Sequence, residues 1–148
     1  MSKTAALLTV IGLSTIVGAA GREADGCLDG RQSALIAGGF SGALICSAED
    51  ATFEPVGNIG SGRYAIYDYR YRFRAAAVTH GGQRIVIFKG RDYVGQYVLS
   101  PPPFADLAVN GADVIVTGGA NPGRWVLDFS EGPPHQAFID GYALNLDR

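Results

Sequence analysis

Between Tyr64 and Arg74 the chain alternates without a break. Ala65, Tyr67, Tyr69, Tyr71 and Phe73 fall on one side, and Tyr64, Ile66, Asp68, Arg70, Arg72 and Arg74 on the other. A period of two, carried by aromatic residues, describes a strand with two unlike faces rather than a helix. Such a strand needs partners, so the pattern commits its neighbours to β-structure too.

Those neighbours agree. Arg84 to Phe88 is short and nearly all apolar, as in a central strand, and Lys89-Gly90-Arg91-Asp92 turns it into Tyr93 to Leu99. Pro101-Pro102-Pro103 ends that strand, because proline cannot donate to a ladder. Leu107 to Val109 and Val114 to Thr117 flank Asn110-Gly111, a tight-turn signal. Trp125, Leu127 and Phe129 alternate with Arg124, Val126 and Asp128 before Pro133-Pro134 interrupts. Phe138 to Leu146 forms a last strand or a small hairpin turning at Asp140-Gly141. Ala34 to Ile45 fits either two short strands about Gly38-Gly39 or a short helix.

Strands thus arrive about every 10–12 residues with glycine or proline between them. The expectation is one all-β domain, an antiparallel sandwich or partly open barrel of about six to eight strands. Trp125, Leu127, Phe129, Ile85, Ile87, Tyr97, Val114 and Val116 are its expected core. Tyr67, Tyr69, Tyr71, Tyr93 and Tyr97 should fill that core with their hydroxyls at its edge.

The N-terminus has a different character. Met1-Ser2-Lys3 precedes an apolar run from Ala5 to Ala20 that closes in small residues, the layout of a cleaved signal peptide over residues 1–20. The run is shorter than the roughly 20 apolar residues of a membrane span, so no integral span is expected after cleavage. Asp25 ahead of Cys27 does not suit lipoprotein processing. Residues 21–148 then form a single domain that is periplasmic or secreted. In an exported chain two cysteines favour one disulfide, Cys27 to Cys46, stapling the N-terminal segment to the domain. The entropy gained by closing that loop is about 3 kcal/mol.

Charge is unevenly spread. Residues 22–60 hold two basic and six acidic groups, residues 61–91 seven and one, and residues 92–148 two and seven. Arg70, Arg72 and Arg74 should project from one face about 7 Å apart, and three like charges so close require anions nearby. The internal source is a cross-strand carboxylate, from Asp113, Asp128 or Asp140. The external source is an anionic partner such as a glycan, a lipid phosphate or an acidic protein surface. Asp68 is expected to neutralise an arginine in its own strand or across the ladder.

Catalytic patterns are weak. Gly39-Phe40-Ser41-Gly42-Ala43 resembles a nucleophile elbow in spacing, but the elbow needs a strand-turn-helix in a large α/β sheet. Gly57 to Gly62 lacks the lysine and following helix of a phosphate loop and reads as a flexible connection. His80 and His135 stand far apart in connections rich in glycine or proline, and nothing has metal-ligand spacing. The sequence favours a non-enzymatic binding or inhibitor-like module, without cofactor or metal. Its partner would be an envelope component or secreted protein, with Arg70, Arg72 and Arg74 as contact residues. Nucleic acid does not suit an exported chain of net negative charge. The alternatives are an assembly subunit acting by strand addition and a small hydrolase using Ser41, His80 or Asp68.

Overall fold

The computed structural model describes residues 27–47, 49–120 and 122–148. The expected signal peptide, residues 1–20, lies outside the described residues, as does the Cys27 side chain on which the expected disulfide depends.

The described chain is all-β apart from a short 3₁₀ turn, Cys27–Gly30, and one helix, α1 (Gln32–Ala37). Nine strands follow rather than the expected six to eight. They are β1 (Ala51–Ile59), β2 (Tyr64–Ala75), β3 (Val78–Lys89), β4 (Asp92–Leu99), β5 (Ala105–Asn110), β6 (Asp113–Gly118), β7 (Arg124–Asp128), β8 (Gln136–Ile139) and β9 (Tyr142–Asn145). They form three antiparallel sheets, β1-β2-β3-β4, β5-β6-β7 and β8-β9, and every ladder joins strands consecutive in sequence. The β8–β9 turn is Asp140-Gly141, with φ of 51° and 78°. That left-handed pair is the geometry that favours an Asp-Gly dipeptide in a two-residue hairpin.

The four-stranded sheet is buried on both faces, which explains why Ile85 to Phe88 reads as continuously apolar. One face carries Ile66, Ile85, Ile87 and Tyr97 against Val114, Val116, Leu127 and Phe129 of the second sheet and its edge. Trp125 is partly buried against this cluster and the other seven expected core residues are buried within it. The opposite face carries Tyr67, Tyr69, Val86, Phe88 and Tyr93 beneath Leu28, Leu35 and Phe40 of the N-terminal segment. Arg31 lies over the rings of Tyr67 and Phe88, 4.8 and 4.7 Å from their centroids.

Two sequence expectations need correction. Gly57, Asn58 and Ile59 belong to β1 rather than to a flexible connection, and Ile59 is buried. The strand shifts register between Pro55 and Gly57, and it is a sheet edge, where proline is tolerated. His80 lies within β3 and not in a connection. Of the two readings of residues 34–45 the short helix holds: α1 ends at Ala37, and the rest crosses the sheet without regular structure. That crossing is held by Tyr69, whose hydroxyl accepts from Ile45 N at 2.7 Å and donates to Ala43 O at 3.1 Å.

The chain end closes back on the first sheet. Gln96 and Asp147 exchange backbone hydrogen bonds of 2.8 and 2.9 Å across the outer edge of β4.

Candidate functional site

The arginine stripe divides into a buried root and an exposed end. At the root, Arg70 Nε donates to Asp68 Oδ2 at 2.8 Å, and a second nitrogen donates to Ala105 O at 2.9 Å. Gln83 completes the set. Its amide nitrogen donates to Asp68 Oδ1 at 2.9 Å and to Ala105 O at 2.8 Å, while its oxygen accepts from Ala105 N at 2.8 Å. Gln83 therefore pairs with the first residue of β5 as another backbone would and ties the two sheets together. Burial pushes the Asp68 carboxyl above its ordinary value, against the opposing pull of Gln83 and Arg70.

Asp68 thus neutralises Arg70 from the same strand, as expected. The other carboxylate near Arg70 is Asp106, at 3.8 Å. Among the described residues no ion pair joins the stripe to Asp113, Asp128 or Asp140. Those three sit on β6, on β7 and in the β8–β9 turn.

Beyond the root the β2–β3 hairpin outruns its sheet. β1 pairs with β2 only as far as Tyr71, and β4 pairs with β3 only from Gln83 onward. Strand pairing between them involves only each other: Arg72↔Gly81, Phe73↔His80, Arg74↔Thr79 and Ala75↔Val78. All of residues 72–80 are exposed. One face of this arm is an aromatic ladder, with Tyr71 stacked on Phe73 at 6.4 Å and Phe73 stacked on His80 at 5.4 Å. Gly82 admits the ladder's base, since a Cβ there would meet the Tyr71 ring and hydroxyl. The other face carries Arg72 and Arg74. Among the described residues neither has a carboxylate within ion-pair distance, although Arg72 lies 5.4 Å over the Phe104 ring. The tip, Ala75 to Val78, is wholly apolar, and Val78 is 58% exposed.

The residues weighed for catalysis are held apart. Ser41 accepts from Gln96 at 3.0 Å through Oγ, and its carbonyl takes Arg84 at 2.7 Å. His80 stacks in the arm, and Asp68 sits between the sheets. The Gly39–Ala43 segment follows a helix rather than linking a strand to one, so it is not an elbow. His135 lies between β7 and β8, its carbonyl accepting from Leu146 N. Among the described residues no group of three or more histidine, cysteine or carboxylate side chains could hold a metal. No described helix is long and apolar enough to cross a membrane.

Two larger hollows open on the surface. One, of about 300 Å³, lies at the arm's root, lined by Glu49, Asp50 and Glu54 together with Arg70, Arg72 and Phe104. The second, of about 410 Å³, runs between Val98 to Ser100 of the β4 end and Tyr142 to Leu144 of β9.

Comparison of the chain with protein-family models, with curated proteins and with solved structures finds no match.

The arm was the feature sequence reasoning missed. Period two placed the three arginines on one face but could not show where the flanking strands stop. The available signal was the tripeptide Ala75-Ala76-Ala77 between two β-type runs, which lacks the glycine or asparagine that marks a turn.

Proposed function

We propose that this protein is an exported, non-enzymatic binding module of β-sandwich type whose contact surface is the β2–β3 arm. The observation that carries the reading is the exposed stretch 72–80, which presents Arg72 and Arg74 without carboxylate partners among the described residues. A stripe serving only the fold would be paired along its length, as Arg70 is. Export rests on the composition of residues 1–20, and the Cys27–Cys46 staple belongs to the same reading. The partner is an envelope component or secreted protein with an anionic surface, and Arg70 acts as the fixed base of the stripe.

The test is capture from a cell-envelope extract, comparing the wild type with Arg72→Gln/Arg74→Gln at low and high salt. A stoichiometric partner released by salt and lost in the variant is the expected result. Equal retention by the variant would overturn the assignment. The R72Q/R74Q variant should keep the wild-type melting temperature, because both side chains are exposed.

A second reading, strand addition, is favoured by the hollow beside β4. Exposed Val98 and Tyr142 line a slot between two strand ends there. Self-association abolished by Val98→Lys would select it, and a strict monomer at high concentration would dismiss self-assembly through this slot.

A further inference from the structure

We infer that the arm docks on an anionic phospholipid bilayer, its tip Ala75–Val78 with Phe73 entering the interface while Arg72 and Arg74 take lipid phosphates. This rests on the preceding reading that the arm is the contact surface, and it names the surface contacted.

The chemistry of the arm selects among anionic partners. A glycan recognised by aromatic stacking needs a free ring face. The Tyr71, Phe73 and His80 rings instead lie against one another, with Phe73 between the other two. A small free anion needs an enclosing site rich in donors. The nearest hollow is the one at the root, where Glu49, Asp50 and Glu54 share the lining with the arginines and would repel it. What remains is a surface on which an apolar tip and cations are satisfied together. A lipid interface offers acyl chains and phosphates within a few ångströms of each other.

Charge complementarity orients the contact. Residues 72–80 hold two basic side chains and no acidic one, while the rest of the sequence is net acidic. An anionic surface would attract the arm and repel the body, so the molecule would approach arm first. Geometry limits the depth. From Phe73 to the turn the arm extends about 10 Å at strand rise, comparable to the 5–10 Å to which interfacial segments sink. Asp50, whose carbonyl accepts from Arg72 N, marks the root at which further approach would meet carboxylates.

The test is flotation of the purified full chain with phosphatidylcholine vesicles and with phosphatidylcholine–phosphatidylglycerol vesicles. Variants R72Q/R74Q and Val78→Glu share the same N-terminus, so binding through residues 1–20 cancels in the comparison. The wild type should float with the phosphatidylglycerol vesicles and be released by salt. R72Q/R74Q should lower partition on the order of 30-fold at low salt, about fivefold per arginine. Val78→Glu should weaken binding while leaving the melting temperature unchanged. Equal flotation of wild type and R72Q/R74Q, equal binding to both vesicle types, or no vesicle binding would overturn the inference. Should vesicles fail while an envelope protein is still captured through Arg72 and Arg74, the lipid assignment falls and the binding-module reading stands. Should arm-dependent capture fail as well, both fall.

Discussion

Replacing Gln83 by leucine tests the join between the sheets most directly. Leucine keeps most of the buried volume and shape, so the cavity term is small and the loss is one of polar partners. Of the three groups bonded to the amide one keeps a partner, and the Asp68 carboxylate keeps its other contact. Ala105 O keeps its bond from Arg70, and Asp68 Oδ2 keeps Arg70 Nε. Two are orphaned: Ala105 N, which donated to Gln83 at 2.8 Å, and Asp68 Oδ1, which accepted at 2.9 Å. Stranding a buried donor or acceptor costs roughly 1–3 kcal/mol, so Gln83→Leu should destabilise by roughly 2–5 kcal/mol. With a urea m-value of about 1–3 kcal/mol/M for a small domain, the midpoint should fall by about 1–3 M at unchanged slope. Amide exchange gives the local check: Ala105 N–H should be protected in the wild type and among the first core amides to exchange in the variant. A midpoint shift worth less than about 0.5 kcal/mol, the range of unremarkable surface changes, would refute the idea that this side chain fastens the two sheets.

Further outcomes follow from the same geometry. The Asp68 carboxyl has a folded pKa raised above 3.8, so the native state holds its proton more tightly than the unfolded chain. As pH falls from the folded pKa towards 3.8, the wild type should therefore gain stability relative to Asp68→Asn, and urea midpoints that diverge the other way would contradict this. Tyr69→Phe removes the hydroxyl that holds Ile45 and Ala43; it should cost about 1–2 kcal/mol in urea unfolding and speed proteolysis within residues 41–47. Leu35→Ala empties a fully buried site between α1 and the sheet, with an expected loss of about 2–5 kcal/mol in thermal unfolding. Arg70→Gln should destabilise by about 1–2 kcal/mol while Arg74→Gln stays within about 0.5, and equal effects would mean that root and arm are not distinct.

The strands announced themselves where alternation and turn chemistry coincide. Tyr64 to Phe73 and Asp140-Gly141 each satisfy a local rule and lie where that rule puts them, whereas the turn expected at Asn110-Gly111 falls one residue later, at Gly111-Ala112, with Asn110 paired to Asp113. β1 was hidden because Pro55 and the register shift beside it break the period, and edge strands tolerate both. The arm was hidden because its turn is built from alanines, with Ala76 at a φ of 55°. Beyond the break between two β-type runs, nothing local marks an alanine in a conformation that glycine usually takes. The root network was legible only in part. Asp68 and Arg70 are two residues apart in one strand, but Ala105 reaches them from another sheet across an apolar interface that the sequence leaves unregistered.

The strand order has a consequence in time. Because every ladder joins sequence neighbours, nearly all pairing closes short loops, whose entropy cost is small and whose hairpins form in about 1–10 μs. A chain delivered from its N-terminus can therefore complete each hairpin before the next strand emerges, with little left waiting for a distant partner. The exception is the Gln96–Asp147 pair, whose members lie far apart in sequence. Until Asp147 arrives the outer edge of β4 stands open, so a chain cut short of Asp147 would be able to pair its strands in order but unable to seal its first sheet.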